Sequence, residues 1–264
     1  MAPSLFNLAM QDIVASARNY EVWGWLCLSE IRRRYRRTLL GPLWMTFSIL
    51  IFSLVLAFVW STLWKQDFST FLPYLLGGLI PWMFFAGCIG ESTSLLLSAR
   101  ERVFSGPILI FELCFQLIGR NLIIFLHNLL ALAIIAPFCE ISWGAHNLLA
   151  LVGIFFQVLN LCWVVPVLCV LCLRYRDIQQ LVIIGLQVVM FVSPIFWPVS
   201  ALGDREWIAQ INPLYHMVYT IRQPLLTDAI EITPYLVVGF LSIIGLVVAV
   251  YFCQRYRQKM VFWY

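Results

Sequence analysis

A run of arginines near the amino terminus is the part of the sequence whose residue types are best suited to binding an anion. Five of the six residues from position 32 to position 37 are arginines, and the sixth is Tyr35. Guanidinium groups donate paired hydrogen bonds to phosphate oxygens, and each basic residue near an anionic membrane surface gains about 1 kcal/mol. The residues of this predicted anion contact, called the arginine run below, are Arg32, Arg33, Arg34, Tyr35, Arg36 and Arg37. Nucleic acid, lipid phosphate, a protein partner and a phosphate-bearing substrate are all ligands that such a run can bind.

Patterns that would indicate catalysis or nucleotide binding are absent from the sequence. The P-loop pattern GxxxxGK[ST] does not occur, and neither does HExxH or GxSxG. His127 lies in an apolar run with no buried acid beside it, so a hydrogen bond across helices is favoured over a proton relay. We therefore expect that this chain is not an enzyme and has no catalytic residue, no metal site and no cofactor of its own.

The cysteines are not expected to form a chemical site. Most of the eight lie inside apolar runs. Cys169 and Cys172 have the CxxC spacing, but they lie at the end of an apolar run, where cysteine usually acts as a small buried apolar residue. We therefore expect no structural disulfide.

The composition requires a membrane. Hydrophobic residues make up 62% of the 264 residues and charged residues only 11%, against about 25% charged in soluble domains. A helical span needs roughly 20 apolar residues, so we expect an all-α polytopic membrane protein. The six predicted spans are Leu43–Trp64, Phe71–Leu97, Ile108–Phe138, Asn147–Leu173, Ile178–Pro194 and Pro234–Cys253. The third is about 45 Å long as a helix, so its first part, with Glu112 and Arg120, is expected at the membrane surface or outside it.

The distribution of basic residues predicts the orientation of the spans. Thirteen of the seventeen lysine and arginine residues fall on one side of the six spans, together with both termini. By the positive-inside rule, that side is cytoplasmic.

Two segments outside the spans also have a predicted structure. Residues 194–233 are too apolar for a free loop and are broken by prolines, which favours short re-entrant or interfacial helices. The segment before the first span is predicted to be a basic amphipathic helix on the membrane surface. The apolar residues at helical spacing that indicate it are Tyr20, Trp23, Cys27, Leu28, Ile31 and Tyr35.

These segments together predict one transmembrane domain over residues 1–264. Its parts are the cytoplasmic amphipathic segment 1–42, spans one to five in 43–193, the periplasmic re-entrant segment 194–233, span six in 234–253 and the cytoplasmic tail 254–264.

Four stretches of the sequence resemble a known family when taken together. They are "RRRYRRTLLGPLW", "SARERVFSGP", "SPIFWP" and "INPLYHMVYTIRQPLL". The combination is similar to the membrane subunit of type-2 ABC exporters, most closely the polysaccharide-export branch with its O-antigen, capsule and teichoic-acid permeases.

The resemblance implies an assembly and a substrate. The chain would be a homodimer in the bacterial inner membrane, bound to two copies of a cytoplasmic P-loop ATPase that holds ATP and Mg²⁺. It would export a polysaccharide linked to undecaprenyl pyrophosphate to the periplasm, in contact with membrane lipids and without nucleic acid. The arginine run would meet the pyrophosphate or lipid at the cytoplasmic entrance.

The resemblance also implies three sets of site residues. Coupling to the ATPase would involve Ser98, Arg100, Glu101, Arg102 and Val103. The channel lining would include Trp44, Phe47, Phe58, Phe191 and Phe196. A periplasmic gate would contain Pro194, Trp197, Asn212, Pro213 and Arg222, with Asn212 and Pro213 starting a helix. Gly77, Gly78 and Pro81 are expected to bend the second span.

Several alternatives stay open from the sequence. A capsule or teichoic-acid permease, or a drug or lipid exporter of the same superfamily, would have the same topology. A membrane-embedded transferase on lipid-linked sugars would need positioned acids or bases, and no convincing set is present. A scaffold or receptor without transport is disfavoured only mildly.

Overall fold

The computed structural model describes residues 5–41, 43–105, 110–139, 141 and 144–264, and every regular element in these residues is a helix. The α-helices are α1 (Leu5–Arg18), α2 (Tyr20–Arg34), α3 (Leu43–Trp64), α4 (Phe68–Ser98), α5 (Arg100–Ser105), α6 (Ile110–Ile135), α7 (Leu149–Arg174), α8 (Asp177–Val192), α9 (Trp207–Ile211), α10 (Pro213–Leu226) and α11 (Thr233–Met260). Short 3-10 helices occupy Ala136–Phe138, Ala145–Leu148, Val199–Arg205 and Val261–Trp263.

Five of these helical segments are long and apolar enough to cross a membrane. They are Leu43–Leu63, Phe68–Ser98, Ile110–Phe138, Ala145–Arg174 and Thr233–Tyr256. The predicted fifth span coincides with α8, which has 16 residues and is therefore about 24 Å long, less than the roughly 30 Å of a hydrocarbon core. The all-helical, multi-pass prediction is confirmed, and the count of six spans stays a prediction.

Helix α4 forms the centre of the bundle, where it packs against α3, α6, α7, α8 and α10. It begins at Asp67, whose carboxylate accepts a hydrogen bond from the Ser69 backbone N–H. Pro81 lies inside the helix, and its carbonyl oxygen accepts a hydrogen bond from Gln157 Nε2 of α7 at 2.8 Å. This hydrogen bond ties α4 to α7 at the position of Pro81.

Helix α2 is tied to α6 along one narrow stripe. Cys27 and Ile31 are buried, and Trp23 packs on Phe115 at a ring separation of 6.1 Å. The Cys27 thiol donates a hydrogen bond to the Gln116 carbonyl oxygen at 3.0 Å. Residues four apart lie on the same face of a helix, so this stripe is one side of α2. The predicted apolar face was wider: Tyr20 and Leu28, which it included, are exposed.

Helix α10 lies in the predicted 194–233 segment, and it is enclosed by other helices of the bundle. It packs against α4 and α7, and most of its residues from Tyr215 to Pro224 are buried. Its start agrees with the sequence analysis: the Asn212 side chain accepts a hydrogen bond from the Leu214 N–H, and Pro213 is the first helical residue. Insertion of this segment into the membrane as a re-entrant helix stays a prediction.

The contacts of His127 differ from the expected hydrogen bond across helices. Its ring Nδ1 lies 2.8 Å from the Ile123 carbonyl oxygen of its own helix, and its side chain makes no hydrogen bond to another helix among the described residues. The bridge is made by the backbone instead, because Thr46 Oγ1 donates to the His127 carbonyl oxygen at 2.8 Å. This hydrogen bond places Thr46 of α3 beside His127 of α6.

Replacing Gly153 with alanine should destabilise the protein by about 1–3 kcal/mol, because it overpacks the contact between α7 and α10. A β-carbon built on Gly153 would lie 2.4 Å from the Thr220 carbonyl oxygen, a backbone atom that can move only with the helix. A lowered thermal-unfolding midpoint in detergent would confirm this. The control is Gly185→Ala on α8, where nothing lies within 4 Å of the new β-carbon and no loss is expected. Equal midpoints for the two variants would contradict the prediction.

Candidate functional site

A cavity of about 760 Å³ lies between α3, α4 and α6, at the end of the bundle where the arginine run is found. We call it the arginine-end cavity. Its mouth includes Arg34 and Tyr35, and Trp44 at the start of α3 lines it as well. Apolar side chains such as Phe52 and Phe125 line other parts of the wall. The cavity therefore joins one member of the predicted channel lining to two members of the arginine run.

Only part of the arginine run faces this cavity. Arg32, Arg33 and Arg34 form the last turn of α2, and Arg36 and Arg37 lie in the turn that follows. All five arginines are exposed, whereas Tyr35 is half-buried. Burial raises the pKa of the Tyr35 hydroxyl above its ordinary value, which already keeps it a hydrogen-bond donor at neutral pH.

Two residues between α2 and α3 adopt the left-handed backbone region. Arg37 has φ +70° and Gly41 has φ +53°. The next residue, Pro42, lies outside the described residues.

A charged cluster joins α2, α4 and α6 beside the arginine-end cavity. Arg120 of α6 donates from Nη1 to Glu30 Oε2 of α2 at 2.6 Å, and from Nη2 to Glu91 Oε2 of α4. Gln116 Nε2 donates to Glu30 Oε1, and Asn121 Nδ2 donates to Glu91 Oε2 at 3.1 Å. One guanidinium thus holds the amino-terminal segment to two spans.

The charged cluster was not predicted as a site. Neither Glu30 nor Glu91 was among the predicted site residues. The available signal was that Glu91 and Arg120 have opposite charges in neighbouring apolar runs, where ionisable groups usually pair. The expectation that Arg120 lies near the membrane surface agrees with its contact to α2.

The charged cluster extends toward the predicted coupling residues. A second cavity of about 400 Å³ is lined by Glu30, Glu91 and Arg120, and also by Ser98 and Arg102. Ser98 is the last residue of α4, and Arg102 belongs to the six-residue helix α5. The coupling segment and the charged cluster are therefore neighbours.

The other three predicted coupling residues are located on α5. Arg100 and Glu101 begin this helix and are exposed, and the Val103 side chain lies outside the described residues.

The predicted channel aromatics do not form one group. Trp44 and Phe58 are both exposed on α3, but they are 14 residues, or about 21 Å, apart. At the far end of α3, Phe196 is only 5% exposed and packs against Trp60 and Phe191, with ring separations of 6.3 and 5.7 Å.

The remaining channel residue, Phe47, is exposed on α3. The structure brings Phe191 and Phe196 together and keeps them apart from Trp44. Channel lining by the five aromatics stays a prediction.

The predicted gate residues surround a buried arginine. Arg222 is 4% exposed, and its guanidinium carbon lies 4.0 Å from the centroid of the Tyr74 ring. Arg222 Nη1 donates to the Pro194 carbonyl oxygen at 2.8 Å. The Tyr74 hydroxyl lies 3.1 Å from that oxygen and 3.0 Å from the Trp197 carbonyl oxygen. Arg222 and Tyr74 together hold the 193–198 turn against α4.

Gly77 and Gly78 lie against the Arg222 side chain, and the bend expected at these glycines stays a prediction. A β-carbon on Gly77 would lie 2.9 Å from Arg222 Cγ, and one on Gly78 would lie 3.3 Å from Arg222 Nη1. The two glycines therefore give the Arg222 side chain room to lie along α4. Asn212 supports the same region, since its Nδ2 donates to Ser193 Oγ at 2.9 Å.

An all-helical, multi-pass chain without a nucleotide-binding motif, with charged groups gathered at one end, has the features of a transporter membrane subunit. A model of the family described as "ABC-2 type transporter" matches residues 21–226. Because this match covers more than half of the chain, the protein belongs to the ABC-2 type transporter family. ATP hydrolysis is accordingly the task of a separate subunit.

Curated proteins similar to this chain have a consistent description. Two O-antigen export system permease proteins RfbA from Klebsiella pneumoniae are 22% and 23% identical to it, over 87% and 86% of this chain and 90% of each relative. A protein of the same description from Myxococcus xanthus is 23% identical over 72% of this chain and 74% of its own length. The predicted family is confirmed.

Proposed function

We propose that this chain is the permease subunit of an exporter that moves an O-antigen-like polysaccharide, linked to undecaprenyl pyrophosphate, from the cytoplasm to the periplasm. The observation that carries the proposal is the arginine-end cavity, whose mouth combines a guanidinium, a tyrosine hydroxyl and an indole. These groups suit a substrate that bears both phosphate and sugar. Three relatives described as O-antigen export permeases support the same class of substrate.

The proposed topology has six spans, with α8 as the fifth and the arginine end in the cytoplasm of a bacterial inner membrane. The 193–198 turn, which follows α8, is held inside the bundle by Arg222 and Tyr74. A turn at that depth would let α8 span the membrane although it is short. The exposed apolar faces of α3 and α8 would meet a second copy of the chain around a shared channel. The exposed residues of α8 that such a dimer would cover include Leu181, Ile184, Val188 and Phe191.

The proposed coupling segment is Ser98 with α5, in contact with two copies of an ATPase that bind ATP and Mg²⁺. Its position beside the charged cluster supports this role, because Arg102 of α5 lines the same cavity as Glu30 of α2 and Glu91 of α4. Disulfide crosslinking between a cysteine at position 101 and the ATPase tests the contact. Failure to crosslink in an active complex would contradict it.

Within the arginine run, Arg34→Gln should reduce export more than Arg32→Gln. Both replacements remove one charge from the last turn of α2, but only Arg34 lines the cavity. A charge-assisted hydrogen bond contributes about 1.5–3 kcal/mol, so the expected loss is about tenfold to a hundredfold in initial export rate.

The measurement is ATP-dependent appearance of polysaccharide on the outside of an export-deficient strain that expresses the permease with its ATPase. Arg32→Gln is the matched control, and membrane orientation is checked by accessibility of the carboxyl terminus. Equal export by the two variants would contradict a role of Arg34 at the entrance. A wild-type complex that exports no polysaccharide would overturn the proposed function.

A further inference from the structure

The arginine-end cavity contains a buried polar atom that the protein leaves unpaired. Asn128 lies on α6, is 4% exposed and lines the cavity. Within the described residues, its side-chain Oδ1 has no hydrogen-bond partner. Burial of an amide oxygen without a donor is unfavourable, and such atoms in proteins are usually paired with a protein group, water or ligand. The atom therefore indicates a donor that enters the cavity from outside the chain.

The depth of Asn128 follows from the contact between α3 and α6. Thr46 Oγ1 donates to the carbonyl oxygen of His127, the residue before Asn128, at 2.8 Å. At 1.5 Å per residue, Asn128 lies about 5 Å further along the bundle than Trp44. A group bound at Asn128 would therefore be inside the mouth formed by Arg34 and Tyr35, within reach of the Trp44 indole.

The other groups that line the cavity select among possible ligands. Glu91 contributes a carboxylate and Ser48 a hydroxyl, while Trp44 and Trp82 contribute indole rings. A lipid chain would leave the Asn128 oxygen without a donor, whereas the Glu91 carboxylate already accepts hydrogen bonds from Arg120 and Asn121. A phosphate at neutral pH offers acceptors rather than donors, so it would not satisfy the Asn128 oxygen. A sugar offers a hydroxyl donor to that oxygen and apolar C–H faces to the indoles, and the volume lies within the usual range for ligand sites.

We propose that the arginine-end cavity is a saccharide subsite, in which Asn128 Oδ1 accepts a hydrogen bond from a sugar hydroxyl and Trp44 and Trp82 pack against sugar rings. This inference rests on the proposed function and names the part of the substrate that enters the cavity. The sugar occupies the interior, and the phosphate stays outside at Arg34. Asn128 is then a substrate-binding residue of the inner half of the transport path.

The test compares Asn128→Leu with His127→Leu in the full chain bound to its ATPase in lipid nanodiscs. Both variants replace a polar residue of α6 with leucine, but His127 does not line the cavity. The first probe is polysaccharide released by mild acid from the export-deficient strain, so that it has neither phosphate nor lipid. The second probe is undecaprenyl pyrophosphate without sugar. Binding of each probe is measured by equilibrium titration.

The proposal predicts that Asn128→Leu raises the Kd for the released polysaccharide about three- to tenfold, as expected for the loss of one neutral hydrogen bond. The Kd for undecaprenyl pyrophosphate should not change, and His127→Leu should bind both probes as the wild type does. Asn128→Ser retains a hydroxyl acceptor and should recover part of the affinity. Thermal stability separates binding from folding, because removal of an unpaired buried oxygen should leave the unfolding midpoint equal or higher.

Three results would overturn the inference. They are equal polysaccharide binding by Asn128→Leu and wild type, a defect confined to the lipid pyrophosphate, and no binding of released polysaccharide by the wild type. Failure of the proposed function looks different, since it is a wild-type complex that binds the polysaccharide and does not export it.

Discussion

Arg120→Gln should release α2 from α6 and abolish most of the export. The replacement leaves Glu30 and Glu91 without their shared cation, although the side chains are partly reached by water. A partly buried charged hydrogen bond contributes about 1.5–3 kcal/mol, so the loss of two corresponds to at least about a tenfold change in the docking equilibrium.

The Cys27 thiol provides a direct measurement of this release. Cys27 is 2% exposed, and burial with the nearby Glu30 carboxylate raises its pKa to about 11. The Arg120 cation lowers that pKa, so loss of Arg120 alone, with α2 still docked, would slow reaction of the thiol with a maleimide. Only separation of α2 from α6 would accelerate the reaction. The expected result is an acceleration of about tenfold or more at pH 8, in a chain whose other seven cysteines are alanine.

Two variants serve as controls for the role of Arg120. Arg32→Gln removes an exposed arginine of the same helix and should leave the Cys27 reaction unchanged. The triple change Glu30→Gln, Glu91→Gln and Arg120→Gln removes the unpaired charges and should restore slow labelling. Slow labelling of Arg120→Gln together with lost export would show that the charged cluster acts in some way other than holding α2.

Tyr74→Leu should destabilise the protein more than Arg222→Met does. Tyr74→Leu leaves the Arg222 cation buried without the ring beneath it, and it removes the hydroxyl that lies near the Pro194 and Trp197 carbonyl oxygens. The ring contact contributes about 2 kcal/mol when it is desolvated and the hydroxyl about 1–2 kcal/mol, whereas an apolar residue of similar volume in place of a buried cation is often neutral. Thermal unfolding and export should both show this order.

The double variant Tyr74→Leu/Arg222→Met should be more stable than Tyr74→Leu alone, because the buried cation that has lost its ring contact is gone. Tyr74→Phe retains the ring and should lose only about 1–2 kcal/mol through the missing hydroxyl. If Arg222→Met proves the more damaging change, the arginine has a role in the gate beyond its contact with Tyr74.

The sequence predicted those features of the fold that depend on neighbouring residues. Helix α3 has the bounds Leu43–Trp64 that its apolar run indicates, and α10 begins at the Asn212 cap that its local residues favour. Apolar composition and helix capping act within a few residues, so one sequence is enough to predict them.

The features that the sequence did not predict depend on packing between distant segments. Glu30 and Arg120 are 90 residues apart, and no local sequence pattern in either segment indicates that the two side chains pair. The apolar spacing in α2 is similar for Leu28 and Cys27, but α6 covers only the side that contains Cys27. The purpose of Gly77 becomes evident only when Arg222 of a distant helix lies against it.

The short length of α8 has a consequence for the lipids around it. Where α8 spans the membrane as proposed, its roughly 24 Å must match a hydrocarbon core of about 30 Å. Lipid tails that border α8 where the second copy leaves it uncovered must therefore compress, while those beside α11, with 28 residues, need not. Export should consequently depend on the acyl-chain length of the lipids. Longer chains make the required thinning of the bilayer less favourable and should reduce export, and shorter chains should have the opposite effect.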